Sequence, residues 1–195
     1  MEKGAPRGRE GDKEGARGED SGGVCIKALF ANLCPNCEGE IDDVRLARKL
    51  PCERCLPREV SEKDFDSLVF RVYELLTEKR NYETVHTIVW RLKDFDSFFH
   101  RLTGSHLWSA QRTWAKRLFL GRSFSIIAPT GIGKTVFGVS MALYLAKEGE
   151  RIYFVLPTTT LLKQVAERMR AFAERAVLDV NIVAVRGRMG RKAKE

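Results

Sequence analysis

The sequence predicts an α/β fold in which a parallel sheet carries a phosphate-binding loop, preceded by a small four-cysteine module and a helical connector. Three observations support this fold class. An Ala-x-x-Gly-x-Gly-Lys-Thr segment spans residues 128–135, between an apolar run and a helix-like pattern. Further strand-like and helix-like segments alternate after it, as in parallel sheets covered on both faces. Two Cys-x-x-Cys pairs lie upstream.

Composition sets the size and the class of the protein. The chain has 195 residues, of which 44% are hydrophobic, so it can hold one medium domain and a small module. A net charge of +8 favours a polyanionic partner, with DNA or RNA ahead of a membrane surface. No apolar run approaches the roughly 20 residues of a membrane span, and no hydrophobic signal region begins the chain. We therefore expect a cytoplasmic protein with no membrane association.

The chain divides into four segments by composition. Residues 1–23 are almost free of apolar side chains and predict a disordered tail, or a mis-assigned translation start. Residues 24–60 hold all five cysteines and form the predicted metal module. Residues 61–104 carry apolar side chains at helical spacing and form the predicted connector. Residues 105–195 contain the predicted α/β part.

The cysteines have the spacing of a metal site. Two pairs with two intervening residues, separated by 14 residues, can supply four thiolates in a tetrahedral array, as in a zinc ribbon. Two disulfides, a redox Cys-x-x-Cys or an iron–sulfur cluster are the alternatives. Cys25 is left over and is expected to be a small apolar residue. The predicted zinc ligands are Cys34, Cys37, Cys52 and Cys55.

Basic side chains surround the predicted metal module. Such residues suit contact with nucleic-acid phosphates, and a solvated basic face is the alternative. The residues concerned are Lys27, Arg45, Arg48, Lys49, Arg54 and Arg58.

The elements of the α/β part follow from periodicity and caps. Ser109 is a predicted N-cap for a helix that ends near Gly121. Predicted strands at 124–128, 151–156 and about 177–185 alternate with predicted helices at 135–147 and 160–174. In such a sheet, a nucleotide binds at the carboxyl end of the first strand.

The phosphate-loop segment carries the chemistry of this part. Gly131 and Gly133 permit backbone angles closed to other residues, so that N–H groups can line a nest at a helix N-terminus. Lys134 is expected to reach the β- and γ-phosphates of ATP, and the Thr135 hydroxyl to hold Mg²⁺. A turn with a stray lysine is the alternative. The predicted ATP-binding residues of this segment are Ala128, Pro129, Thr130, Gly131, Ile132, Gly133, Lys134 and Thr135.

Two flanking segments hold further polar candidates. Gln111 can both donate to and accept from an adenine edge, although a glutamine on a helix is usually solvent-exposed. Thr158, Thr159, Thr160 and Lys163 begin the helix after the second predicted strand. The threonines are either N-caps or, with Lys163, contacts to the backbone of nucleic acid.

These segments together resemble a superfamily-two helicase motor, which has a RecA-like fold. Residues 128–135 resemble its first motif, residues 157–164 resemble a motif that contacts the DNA backbone, and Gln111 resembles its adenine-reading glutamine. The order of a Cys-Pro-x-Cys…Cys-x-x-Cys finger, a helical connector, Trp108-Ser109-x-Gln111-Arg112 and the phosphate loop resembles the N-terminal part of the reverse gyrases. The resemblance covers residues 24–195. It implies a zinc finger and an incomplete first motor lobe.

The resemblance also implies a function. Reverse gyrases belong to thermophiles, join a helicase-like motor to a type IA topoisomerase, and use ATP to introduce positive supercoils into DNA without sequence preference. No Asp-Asp or Asp-Glu pair follows an apolar strand after Lys163, and no second motor lobe or topoisomerase region follows. We therefore expect a piece of a longer enzyme with no complete catalytic site, which alone hydrolyses ATP poorly or not at all.

Two other functions remain open from the sequence. One is a piece of an ordinary zinc-bearing superfamily-two DNA helicase that has no topoisomerase half. The other is a non-catalytic DNA-binding module whose nucleotide site binds without turnover.

Overall fold

The computed structural model describes residues 27–186, which contain six helices and a two-stranded sheet. Helices predominate in these residues. The segments around the phosphate loop that were expected to be strands form no sheet hydrogen bonds here. The elements are β1 (Leu29–Phe30), β2 (Ile41–Asp42), α1 (Asp43–Ala47), α2 (Phe65–Leu75), α3 (Tyr82–Thr103), α4 (Ser109–Phe119), α5 (Lys134–Lys147) and α6 (Thr159–Arg175).

The cysteine module is built on β1, β2 and α1. The strands pair antiparallel, with Phe30 opposite Ile41, whose side chain is buried against the cysteines. Asp42 caps α1 by accepting a hydrogen bond from the Arg45 backbone N–H at 2.9 Å. This cap holds the chain in place between the two cysteine pairs.

Helices α2 and α3 form an antiparallel hairpin that packs on the cysteine module. The predicted apolar face of α2 is confirmed, because Leu68, Val69 and Val72 are buried. Leu50 and Leu56, which flank the second cysteine pair, join the same cluster. The module and the hairpin therefore share one small core.

The long helix α3 belongs to two cores. Near its start, Tyr82 and Val89 pack in the cluster shared with the cysteine module. Its second half supplies the larger core, in which Phe95 is fully buried and contacts the rings of Phe137 and Tyr144 edge-on. This core also contains side chains from α4, α5 and α6. The second half of α3, in the predicted connector, therefore forms one side of the core that contains α4, α5 and α6.

Polar contacts fasten α3 to α5, the helix that follows the phosphate loop. The Tyr144 hydroxyl donates to Asp94 at 2.9 Å, and Arg91 pairs with Glu148. Burial, together with the hydrogen bond to Asp94, raises the pKa of Tyr144, so the phenol stays protonated. A fully buried aromatic core with satisfied polar groups on its rim predicts a rigid α3–α5 contact.

The predicted strands at 124–128, 151–156 and 177–185 do not form a sheet within the described residues. Burial nevertheless alternates along them, since Phe154 and Leu156 face the helices while Tyr153 and Val155 are 87% and 91% exposed. Side-chain alternation is a local property, but a ladder needs the backbone of another strand alongside. The local signal is therefore present without the pairing.

The predictions for α5 and α6 hold to within one residue at each end, and the predicted start of α4 requires a correction. Helices α5 and α6 begin one residue earlier than predicted, and α6 also ends one residue later. Ser109 is the first residue of α4 and not its N-cap. The N-cap is Trp108, whose backbone N–H donates a hydrogen bond to Gln111 Oε1. Over the described range, no helix combines the length and the apolarity needed to cross a membrane.

Candidate nucleotide and metal sites

The phosphate loop has the backbone conformation that its sequence predicts. Gly131 and Gly133 have φ angles of +87° and +86°, in the left-handed region that side chains disfavour. Gly133 is the N-cap residue of α5, so the loop ends where the helix presents its free N–H groups. Partial positive charge at this terminus suits phosphate.

Lys134 is held on the loop itself. Its Nζ donates to the carbonyl oxygens of Ala128 and Pro129, each at 2.6 Å. These two acceptors take two of the three hydrogen-bond donors of the ammonium. A bound phosphate would accept from the same ammonium and would add the attraction between opposite charges to the hydrogen bond.

A cavity of about 310 Å³ opens beside the loop. Arg168 reaches it from α6, and within the described part of the chain this guanidinium makes no hydrogen bond or ion pair. Sequence reasoning missed Arg168 because it lies 34 residues after Lys134, and no local pattern links them. The lining residues are Thr130, Gly131, Gly133, Lys134, Thr135, Val136 and Arg168.

Gln111 is buried against the phosphate loop. Only 4% of its surface is exposed, so the solvent-exposed alternative is wrong. Its Oε1 accepts from the Trp108 N–H at 3.3 Å, and a Cβ added to Gly133 would lie 3.2 Å from its Nε2. A side chain at this position would therefore crowd the amide, and the φ angle of +86° also disfavours it. The structure therefore places the predicted base reader and the predicted phosphate cradle in direct contact.

An ion pair next to this glutamine joins the start of α4 to the helical connector. Arg112, the next residue on α4, donates to Asp66 of α2 at 3.0 Å, and both side chains are partly buried. The start of α4 is thereby fixed to the hairpin that carries the cysteine module. The two residues lie 46 positions apart, so sequence spacing alone did not indicate the pair.

The four predicted zinc ligands lie together. All four sulfur atoms are within 4.8 Å of one another, and none of these cysteines forms a disulfide. Cys34 and Cys52 are buried, while Cys37 Sγ lies 3.7 Å from Cys52 Sγ. Four thiol groups at this spacing suit a tetrahedral metal ion and leave no open coordination position. Cys25 lies outside the described residues.

Thiol acidity differs within the cluster. Burial raises the pKa of Cys34, but backbone N–H groups of Cys52, Cys37 and Asn36 outweigh it and lower the pKa to about 7. Burial raises the pKa of Cys52, and it raises that of Cys55 to about 12, where the neighbouring thiols add to the shift. The Cys34 thiolate therefore forms readily, whereas burial opposes ionisation of Cys52 and Cys55. A divalent cation is needed to hold all four groups as thiolates.

The basic residues of the module are mostly engaged. Arg45 is buried and donates to the Pro51 carbonyl at 2.8 Å, so this residue is structural and cannot contact nucleic acid. Arg48 pairs with Glu59, and Lys27 with Glu53. Arg54 and Arg58 have no partner among the described residues. These two arginines therefore stay candidates for contact with nucleic-acid phosphates.

At the start of α6, one threonine is a cap and two are free. The Thr158 hydroxyl accepts from the Leu161 N–H at 3.2 Å, which confirms the N-cap alternative for this residue. Thr159, Thr160 and Lys163 are exposed on the first turns of the helix. Their hydroxyl and ammonium groups face solvent next to free helix N–H groups, an arrangement that suits phosphate.

Comparison with known proteins agrees with this geometry. Residues 25–68 match the family model described as a reverse gyrase zinc finger, and residues 108–195 match the DEAD/DEAH box helicase model. The first match contains the four-cysteine cluster, and the second begins at Trp108 and contains Gln111 and the phosphate loop. A helicase match implies a RecA-like α/β fold for this part, with ATP and Mg²⁺ as ligands. The zinc-finger match identifies the metal of the four-cysteine cluster as Zn²⁺.

Curated relatives match across both parts. The chain is 44% identical to reverse gyrase 1 of Aquifex aeolicus and 40% identical to the reverse gyrase of Pyrococcus furiosus, each over 87% of its length. It is also 40% identical to the reverse gyrase of Methanocaldococcus jannaschii. The chain spans only 14% of the length of the first two relatives and 10% of the third.

Proposed function

We infer that this chain is the N-terminal part of a reverse gyrase, an ATP-dependent topoisomerase that introduces positive supercoils into DNA. The observation that carries the proposal is the joint packing on α3, where the zinc cluster docks at one end and the nucleotide lobe is built on the other. An ordinary helicase lobe needs no such finger. The high identity to several reverse gyrases across both parts supports the same assignment.

In this proposal, residues 128–135 and Gln111 form one ATP site. Loop N–H groups and Lys134 hold the phosphates, and Thr135 holds Mg²⁺ through its hydroxyl. The Gln111 amide accepts from the adenine amino group and donates to the ring nitrogen beside it, since Oε1 keeps a second lone pair. Arg168 adds a second cation, whose planar fork matches phosphate oxygens.

The extended segments are proposed to be strands of the RecA-like sheet. Alternating burial at 151–156 and 177–185 supports this, because one side-chain face already packs on the helices. The parallel sheet then places the phosphate loop at the carboxyl end of its first strand.

DNA is proposed to contact the chain through its backbone. The candidates are Thr159, Thr160 and Lys163 on α6, with Arg54 and Arg58 on the zinc module. Such contacts carry no sequence information and weaken as salt rises, because binding releases counterions.

A supercoiling assay tests the proposal. The complete gene product that contains this sequence is incubated with relaxed plasmid and ATP, and the linking number is read on two-dimensional gels. We expect linking numbers above those of the relaxed plasmid, only with ATP. Strand separation without a change in linking number would favour the ordinary helicase, and DNA binding without ATP turnover would favour the non-catalytic module.

Substitution of Gln111 tests the base reader. Gln111→Glu keeps the size but loses the amide donor, so we expect ATP affinity to fall about tenfold, roughly the value of one hydrogen bond. GTP affinity should change less, because guanine presents an acceptor oxygen where adenine has its amino group. Competition against a fluorescent nucleotide measures both. An equal loss for ATP and GTP would contradict base reading and indicate a disturbed loop.

Substitution of Arg168 tests the second cation. We expect Arg168→Ala to weaken ATP binding about tenfold or more, since hydrogen bonds to charged groups contribute about 1.5–3 kcal/mol. Arg170→Ala, on the same helix but outside the lining of this cavity, is the matched control. Titration calorimetry distinguishes the two variants. Equal affinities would remove Arg168 from the site.

A further inference from the structure

The short connection between α3 and α4, residues 104–108, is held by the carboxylate of Asp96. This residue lies on α3, and its side chain is only 18% exposed. Its Oδ1 accepts from the Leu107 N–H at 2.7 Å, and its Oδ2 lies 2.8 Å from Nδ1 of His106. Both carboxylate oxygens are therefore engaged with the connection, which fixes the backbone at this point.

Gln111 accepts from the next backbone N–H along the chain. The consecutive N–H groups of Leu107 and Trp108 donate to Asp96 and to Gln111 Oε1, respectively. The Leu107 side chain is buried in the larger core, so this residue is anchored by its side chain as well as by its N–H. The position of the Trp108 N–H is thus set by the contact to Asp96.

The Trp108 N–H determines which way the Gln111 amide faces. The oxygen and the NH₂ group of an amide have nearly the same shape, so only hydrogen bonds tell its two orientations apart. In this structure Oε1 faces the Trp108 N–H, and Nε2 lies on the side of Gly133, where an added Cβ would be 3.2 Å from it. The contact to Trp108 therefore selects one of the two orientations.

The orientation of this amide matters for base selection. Adenine presents an amino donor where guanine carries an acceptor oxygen. An amide that turned over would offer its NH₂ group to the guanine oxygen as readily as the present orientation offers Oε1 to the adenine amino group. Discrimination between the two bases therefore requires that the amide be held.

We propose that Asp96 is a positioning residue for base selection, which fixes the Trp108 N–H and so holds Gln111 in the orientation that suits adenine. Asp96 acts through Gln111 and not on the nucleotide. On the other side of Gln111, the ion pair of Arg112 with Asp66 restrains the same helix start. The inference rests on the proposed function of Gln111 as the base reader and extends that function to the helical connector.

The helix that carries Asp96 is suited to this role. Phe95, Phe98 and Phe99, which flank Asp96 along α3, are all buried in the larger core. A functional side chain is held precisely when its supporting residues are themselves fixed by packing and hydrogen bonds. The core therefore gives Asp96 a rigid base from which to hold the connection.

The test compares Asp96 variants of the whole chain in competition of ATP and GTP against a fluorescent nucleotide. We expect Asp96→Ala to lower the preference for ATP over GTP about tenfold, roughly the value of one hydrogen bond. Asp96→Asn still offers an oxygen to the Leu107 N–H and should keep most of the preference. Asp96→Glu, which displaces the carboxylate by one methylene, replaces the alanine variant if that variant does not fold.

Asp94→Ala controls for a general loss of stability. It removes another carboxylate from the same helix, but one that accepts from the Tyr144 hydroxyl instead of holding the connection. We expect a lower melting temperature and an unchanged preference for ATP over GTP. An equal fall in preference for the Asp94 and Asp96 variants would overturn the positioning role.

A double-mutant cycle with Gln111→Glu gives the second measurement. If Asp96 acts through Gln111, adding Asp96→Ala to Gln111→Glu should leave the preference where Gln111→Glu alone puts it. A further fall in the double variant would overturn the inference, as would an unchanged preference in Asp96→Ala alone. If Gln111→Glu itself leaves the preference unchanged, base reading by Gln111 falls, and the role of Asp96 falls with it.

Discussion

Lys134→Ala should abolish detectable binding of a fluorescent ATP analogue to this chain. The ammonium is a charged donor on the phosphate loop, and the carbonyls of Ala128 and Pro129 already hold it there. Hydrogen bonds to charged groups contribute about 1.5–3 kcal/mol, which corresponds to roughly 10–150-fold in affinity for each bond lost. Fluorescence anisotropy over a nucleotide titration measures the effect.

The same helix offers the control. Lys147 lies at the other end of α5, over the rings of Phe98 and Tyr144, far from the loop. Lys147→Ala should bind the analogue as the unaltered chain does, with at most a small loss of thermal stability. If Lys134→Ala retains nucleotide while circular dichroism is unchanged, the loop does not hold phosphate and the ATP assignment falls.

Cys52→Ser should release zinc and unfold the small module. Cys52 is buried among the other three sulfur ligands, and a serine hydroxyl is a poor replacement for a thiolate. Apparent zinc-binding free energies of about 10–16 kcal/mol in finger peptides are folding free energy, so the loss is large for a module of this size. We expect the zinc content to fall well below one ion per chain. In a thermal melt, the unfolding transition of the cysteine module should disappear.

Cys25→Ser is the matched control, since this cysteine is not one of the four predicted ligands, and it should retain zinc.

Acidification should act like Cys52→Ser. Zinc requires four thiolates, whereas the metal-free cluster keeps Cys52 and Cys55 protonated, so binding releases protons and affinity rises with pH. Below about pH 7 the Cys34 thiolate is also lost, and the dependence should steepen. Unchanged zinc content in Cys52→Ser would remove the four-sulfur site.

The parts of the site that the sequence could predict are those built from neighbouring residues. The phosphate loop needs left-handed glycines followed by a helix, and Gly131, Gly133 and Lys134 are adjacent in the chain. Each cysteine pair needs only a tight turn. The helical faces of α2 and α3 follow from period alone, and the buried Val72 and Phe95 confirm them.

The parts that were missed depend on tertiary contacts. Arg45 looks like any surface arginine until the Pro51 carbonyl is seen to accept from it inside the module. Asp96 and Arg168 gain their importance from segments 11 and 34 residues away. The pairing of the predicted strands could not be read from the sequence for the same reason, since alternation predicts which face is buried but not which backbone lies alongside.

The length of α3 sets a distance along any DNA that touches both parts of the molecule. Its 22 residues span about 33 Å at the usual helical rise, from the zinc knuckle to the turn before Gln111. That is close to one turn of B-form DNA, about 34–36 Å. If the cysteine module and the helicase-like part both contact DNA as proposed, α3 would therefore hold their contacts about one turn of the duplex apart, on the same face.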